Sequence, residues 1–362
     1  MNPYGALPPQ NHWKKQLDAA DLAAIDYDPA PKWKFDLGAD RFATAGSCFA
    51  QHFARELRKA GGLYVESEPR HPLIPETAGH GYGLFSARYG NIYTVRQLRE
   101  LLEQAFGARP CVEDVFRDKT GRWIDLLRMR AIPDGFSSRE ECLLDRQYHL
   151  GRVRALFEMC DVFVFTLGLT ECWENTELGA CYPICPGVID GAFRPEAHRF
   201  VNSGYEECLR DMQRSIELIR QANPNIRILL TVSPVMLVAT YEARGALQSS
   251  IASKAILRAV ADRCVRDYDC VDYFPSYDII AGPQSAGRFY QDDRRDVTQE
   301  GVELVMGVFF GTRCINRPTV FATPKSGAEA EAAQNRKPAV QRAIAKAMQV
   351  ECDEILLGHA EV

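Results

Sequence analysis

The chain has 362 residues, 46% of them hydrophobic and 25% charged, a globular balance that excludes a disordered or fibrous protein. Lys and Arg number 43 against 48 Asp and Glu, a formal charge of −5, and without a basic cluster no nucleic-acid partner is expected. No apolar run approaches the ~18–20 residues of a membrane-spanning helix, so no membrane span is expected.

The N-terminus lacks the basic and then apolar order of an export signal. Twelve cysteines are scattered through the chain, and none forms a CxxC pair. The reading is a cytoplasmic protein whose thiols are reduced and packed as small apolar side chains. Cys181 and Cys185 have no second ligand pair at zinc-finger spacing, and neither a metal nor a cofactor is expected.

Residues 1–40, rich in Pro, Trp and Asp, read as an arm over the body. A short strand at 41–45 stops at Gly46, and Phe49, Phe53, Leu57 and Ala60 then mark the buried face of a helix closed by Gly61-Gly62. Residues 64–92 are loop-like, with Pro72, Pro75, Gly79, Gly81, Gly83 and Gly90 as punctuation. A helix from Val95 to Phe106 follows. Turn signals at 118–121 and 133–135 suggest an inserted hairpin within 108–137.

A long helix over 139–160 precedes Val162 to Leu167, an unbroken apolar run suited to a strand buried on both faces. Helices at 205–222, 249–268 and 299–313 alternate with strands at 226–232 and 270–274. Counting one strand in the loop region, five are expected in a parallel sheet with helices on both faces, a three-layer α/β body over 41–315 with an insertion at about 64–137. Residues 316–337 read as a linker. A helical tail at 338–362 is a candidate for docking on the body or for joining copies of the chain.

In open parallel sheets, ligands bind beyond the carboxyl ends of the strands. Three such ends carry polar residues after apolar runs: Gly46-Ser47-Cys48, Gly168-Leu169-Thr170-Glu171, and Ser233-Pro234-Val235. Ser47 and Cys48 fall at a helix N-terminus, where backbone N–H groups favour developing negative charge. The plain alternatives are that Ser47 caps the helix and that Thr170 and Glu171 cap a short one. Three polar ends on one sheet edge favour a site.

Ala45-Gly46-Ser47-Cys48-Phe49-Ala50 resembles the signature of the GSCFA family. The resemblance continues through Phe85 to Thr94, Phe165 to Glu171, Thr231 to Val235, Ser253 to Arg258 and Tyr273 to Tyr277, and covers about residues 1–315. That family looks like a branch of the SGNH/GDSL hydrolases and acyltransferases, which implies a flavodoxin-like sheet and an acyl-serine intermediate. Ser47 matches the nucleophile. Gly90, with Asn91 beside it, is the candidate second oxyanion donor, and Thr170 stands where the GxND asparagine would be.

The late DxxH of those enzymes is matched by Asp293-Arg294-Arg295-Asp296, with Asp296 in the histidine's place. A carboxylate is a weak base toward a serine hydroxyl unless its pKa is raised, as a partner carboxylate would do. His71, His80 and His149 are the alternative bases, and Cys48 the alternative nucleophile. The expected substrate is a small-molecule or glycan acyl ester. A non-catalytic carbohydrate-binding module, stacking sugars on Trp173, Tyr182 and Tyr277, is the competing reading.

Overall fold

The computed structural model describes residues 2–18, 21–74 and 81–316. The expected linker and tail beyond residue 316 therefore lie outside the described residues. In chain order the first elements are α1 (Trp13–Gln16), β1 (Phe42–Gly46), α2 (Phe49–Lys59) and α3 (Val95–Ala105). A hairpin of β2 (Val115–Arg117) and β3 (Trp123–Asp125) precedes α4 (Arg139–Met159) and β4 (Val162–Leu167). Next come β5 (Glu171–Asn175), β6 (Ala180–Tyr182), β7 (His198–Asn202) and α5 (Tyr205–Ala222). The chain closes with β8 (Arg227–Val232), α6 (Ala246–Asp267), β9 (Val271–Tyr273), α7 (Ser276–Ala281) and α8 (Gln299–Arg313).

The central sheet runs β1-β4-β8-β9, and every pairing in it is parallel. Its strands are mostly apolar and buried on both faces because helices cover both sides. Side-chain alternation still assigns each residue to a layer. Phe163, Phe165, Ile228 and Leu230 pack with Leu98, Val153, Ile216 and Leu257, from α3, α4, α5 and α6. Phe42, Val162, Val164 and Leu229 face the other way, against Phe49 and Phe53 of α2, Ile279 of α7 and Phe309 of α8. This is the expected three-layer α/β architecture.

The fifth strand expected in the loop region shrinks to one bridge, in which Phe42 N–H donates to the Leu63 carbonyl and Val65 N–H to that of Phe42. The loop-forming prolines and glycines that follow stop the pairing there. More was missed after Glu171. The antiparallel sheet β6-β5-β7 follows β4 after only three residues, so Thr170 and Glu171 do not cap a short helix. The alternation in Glu171-Cys172-Trp173-Glu174-Asn175 and the turn glycine Gly179 were the available signals.

The N-terminal segment is tied down by charge. Arg313, 1% exposed, donates to Asp28 (Nη2–Oδ1 2.9 Å) and to the Tyr273 carbonyl (2.7 Å), and pairs with Asp272. Lys32 Nζ donates to the carbonyls of Val265 (2.6 Å) and Val271 (2.8 Å). Among the described residues no helix is long and apolar enough to cross a membrane, and the eleven described cysteines are all unbridged.

Candidate active site

Gly46 ends β1 at φ +140°, a conformation open to glycine but not to L side chains. A Cβ there would sit 2.4 Å from the Thr166 carbonyl oxygen, so only glycine lets the chain leave the sheet this close to β4. Cys48 is the N-cap of α2, and no side chain caps that helix. The capping reading of Ser47 therefore fails. The Cys48 thiol packs among Phe49, Phe53 and Val235 in the core, which leaves Ser47 as the residue at the strand end.

Gly168 stands against Ser47. A Cβ on Gly168 would come 3.0 Å from Ser47 Cβ and 2.8 Å from the Tyr93 carbonyl oxygen. Ser47 is 3% exposed, and its Oγ is buried with no hydrogen-bond partner among the described residues. Leaving a hydroxyl buried and unpaired costs roughly 1–3 kcal/mol. The hydroxyls of Thr231, Ser276 and Tyr27 are buried without a partner too, but only that of Ser47 stands at the end of β1 against Gly168.

The expected oxyanion donors are placed unevenly. Gly90 is at φ +68°, and its N–H donates to no acceptor among the described residues. The turn is fixed to β1 by Ile92 N–H on the Gly46 carbonyl (2.8 Å), and Asn91 Oδ1 accepts from Gln51 Nε2 of α2 (3.1 Å). The Ser47 N–H lies 3.3 Å from the Thr166 carbonyl, a long and weak bond.

Thr170 is engaged with other partners: its hydroxyl donates to Asn202 Oδ1 (2.7 Å) and its N–H to Ser253 Oγ (3.0 Å). Asn202 in turn donates to Glu242 (2.7 Å). Ser233 Oγ accepts from the Val235 N–H (3.2 Å), which makes it a turn-forming residue.

Sequence reasoning missed Asn202, Ser253 and Lys254 as members of this neighbourhood. Asn202 arrives through the β5–β7 register, where it pairs with Glu171, and nothing local to it signals that. Lys254 is fully buried and its Nζ donates to the Gly168 carbonyl (2.7 Å). A lysine on the buried stripe of α6, between Ser250 and Leu257, was a readable signal.

None of the acid–base candidates among the described residues hydrogen-bonds the Ser47 hydroxyl. Asp293 is exposed, and its carboxylate accepts the N–H groups of Arg295 (2.9 Å) and Asp296 (3.0 Å). Asp296 pairs with Arg295 at 2.5 Å. The DxxD stretch thus closes on itself as a turn before α8, and neither carboxylate bonds the Ser47 hydroxyl. His71 is exposed in its loop, where Nδ1 accepts from the Leu73 N–H. His80 lies outside the described residues.

His149 is fully buried on α4, 2.6 Å from Glu68 through Nδ1. Burial lowers its pKa against the pull of Glu68. Glu68 is pushed up by burial, yet its pKa falls below the usual range because His149, Arg128 and Arg88 face it. The consistent state is an ionised Glu68 held by the two guanidinium groups, with a neutral His149 donating to it. Arg128 and Arg146 also flank Asp125 (2.9 and 3.2 Å), and Asp145 bridges Arg88 (2.5 Å) and Arg128 (2.8 Å). Arg88, Arg128, Gly90, Asn91 and Gln51 line one shallow depression.

On the other flank is a cavity of about 270 Å³ lined by Tyr93, Leu169, Glu171, Trp173 and Tyr182, among others. Tyr277 does not line it. Trp173, Phe200 and Tyr241 pack edge to face at its rim, with Trp173 and Tyr241 centroids 4.8 Å apart. Burial raises the Glu171 pKa, partly offset by the Thr240 hydroxyl donating to it at 2.8 Å.

Comparison with known proteins gives three findings. The chain resembles a solved acetyl esterase carrying a serine-to-alanine substitution with acetate bound, at 10% identity and a TM-score of 0.34, over 74% of this chain and 93% of that one. It also resembles a carbohydrate esterase family 3 protein from Talaromyces cellulolyticus, at 10% identity and a TM-score of 0.36, over 75% and 94% of the two chains. No curated protein matches the sequence. The profile of the GSCFA family matches residues 41–309, which leaves the N-terminal segment outside the match. A match over that much of the chain, containing every element that shapes the serine's surroundings, shows that the protein belongs to the GSCFA family.

Proposed function

We propose that the protein is a serine esterase or O-acyltransferase with Ser47 as nucleophile. The observation that carries this is the buried, unpartnered Ser47 Oγ at the carboxyl end of β1, between Gly46 and Gly168, neither of which could carry a side chain without a clash. Ser47 attacks the ester carbonyl, an acyl–Oγ bond forms, the bond to the alcohol oxygen breaks, and the serine proton leaves on the departing alcohol. The Gly90 N–H is the donor for the developing oxyanion. Water or a second alcohol then takes the acyl group, and cover over the serine favours transfer to the alcohol.

The test is hydrolysis of p-nitrophenyl acetate and butyrate with fluorophosphonate labelling and mass mapping. Turnover and a Ser47 adduct, both lost in Ser47→Ala, support the reading. Labelling without turnover selects a transferase short of its acceptor.

One observation favours a second reading, a binding module on the same fold: no described acid or histidine bonds Ser47 Oγ. Absence of both turnover and adduct, with ligand binding retained, selects it.

A further inference from the structure

The wall of the cavity of about 270 Å³ says what class of group it takes. Leu169, Ile184, Val188 and Leu237 supply aliphatic surface, Trp173 and Phe200 supply aromatic surface, and among the described residues no Lys, Arg or His lines it. Two of its polar side chains are already engaged with neighbours. The Thr240 hydroxyl donates to Glu171, and the Tyr182 hydroxyl to Asp114. A sugar entering here would strip several hydroxyls of water and find few partners. A hydrocarbon chain gains simply by leaving water.

One wall of the cavity is linked to the serine through Gly168. Tyr93, Leu169 and Leu237 pack together at one side of it. Gly168, the residue before Leu169, lies against both Tyr93 and Ser47.

We propose that this cavity is an acyl pocket that takes a medium-length aliphatic chain on the ester whose carbonyl Ser47 attacks. The chemistry rests on the serine reading above, while the affinity for an aliphatic chain does not. Methylene groups are about the size of water, which takes ~30 Å³ in the liquid. The cavity of about 270 Å³ therefore holds roughly nine carbons. Each methylene that enters raises kcat/KM by about fourfold, which is what ~0.8 kcal/mol per buried methylene corresponds to.

The experiment measures kcat/KM of the full chain on p-nitrophenyl acetate, butyrate, octanoate and dodecanoate. A rise to octanoate that stops before dodecanoate is expected. Val188→Trp, or Ala239→Trp at the exposed rim should the first variant not fold, is expected to lower the octanoate-to-acetate ratio at least tenfold. Highest kcat/KM on acetate, or a ratio that neither variant changes, overturns the pocket and leaves the serine reading standing.

Should no ester turn over, the serine reading falls, and binding of octan-1-ol and butan-1-ol to Ser47→Ala decides the pocket. At least tenfold tighter binding of octanol upholds it, and equal or absent binding overturns it. Neutral alcohols are the probes because Glu171 is in the wall.

Discussion

The neighbourhood of Ser47 has two flanks built on opposite principles. On one, the guanidinium groups of Arg88, Arg128 and Arg146 interleave with the carboxylates of Glu68, Asp125 and Asp145, charge for charge, with His149 neutral beside them. On the other, a roomy cavity is lined mostly by carbon. A buried ion network this balanced holds most of its charge on itself, although Arg88 Nη1, Arg128 Nη1 and Glu68 Oε1 are left without hydrogen-bond partners. Each charge depends on the others, and removing one strands the rest. An apolar cavity is left with nothing to satisfy and stays available to a ligand. The charged flank therefore reads as scaffold that holds the Gly90 turn, and the apolar flank as the place for substrate.

That contrast can be broken in several ways. Ser47 lies between the flanks, and Ser47→Ala should lower ester turnover by about 10³-fold or more. The same change removes a buried, unpaired hydroxyl, so the variant should unfold at higher denaturant, a gain of roughly 1 kcal/mol. A loss of both activity and stability would mean that Ser47 supports the fold and is not poised for reaction.

Asp125→Ala tests the charged flank. It leaves buried Arg146 without its carboxylate and buried Arg128 with Asp145 alone, and should cost about 3–5 kcal/mol in a urea titration. A cost below about 1 kcal/mol would remove the idea of an interdependent network. On the apolar side, Tyr241 is 70% exposed, and Tyr241→Ala should move stability by less than about 0.5 kcal/mol while raising KM for the preferred ester. An unchanged KM would detach the aromatic rim from the substrate.

Glu171 supplies the pH arm. Its carboxyl is raised in the folded state, so that state holds the extra proton. The associated stability is present below the unfolded pKa of about 4.3 and is lost as pH rises through the raised folded value. Relative to Glu171→Gln, the wild type should lose stability across that window, by at most about 1.4 kcal/mol per pH unit. Smallest of all, Asp296→Asn should leave turnover within a few-fold, since its carboxylate is held by Arg295. A loss of 10²-fold would restore the DxxD stretch to the reaction.

Much of this was legible in the amino-acid order. The runs Val162 to Leu167 and Ile228 to Val232 are apolar but for Thr166 and Thr231 because both faces of the sheet are covered. Gly46-Ser47-Cys48 announced a strand end meeting a helix, and the motifs announced the family. The antiparallel sheet after Glu171 was less legible, because short strands of mixed residues look like loop until their partners are known. The roles expected of Thr170, Asp293 and Asp296 came from matching family motifs, and a hydroxyl or carboxylate at a matched position still bonds whatever lies nearest.

What the sequence by itself determined was the layered α/β body and the position of Ser47, since periodicity and glycine placement act between residues close in the chain. What only the tertiary structure decided was the company that serine keeps. Lys254 on the Gly168 carbonyl, Asn202 on Thr170 and the cavity between Tyr93 and Leu237 join segments dozens to more than a hundred residues apart. Contacts of that span leave no periodic trace, because they are settled by how the strand ends and the added sheet pack in three dimensions.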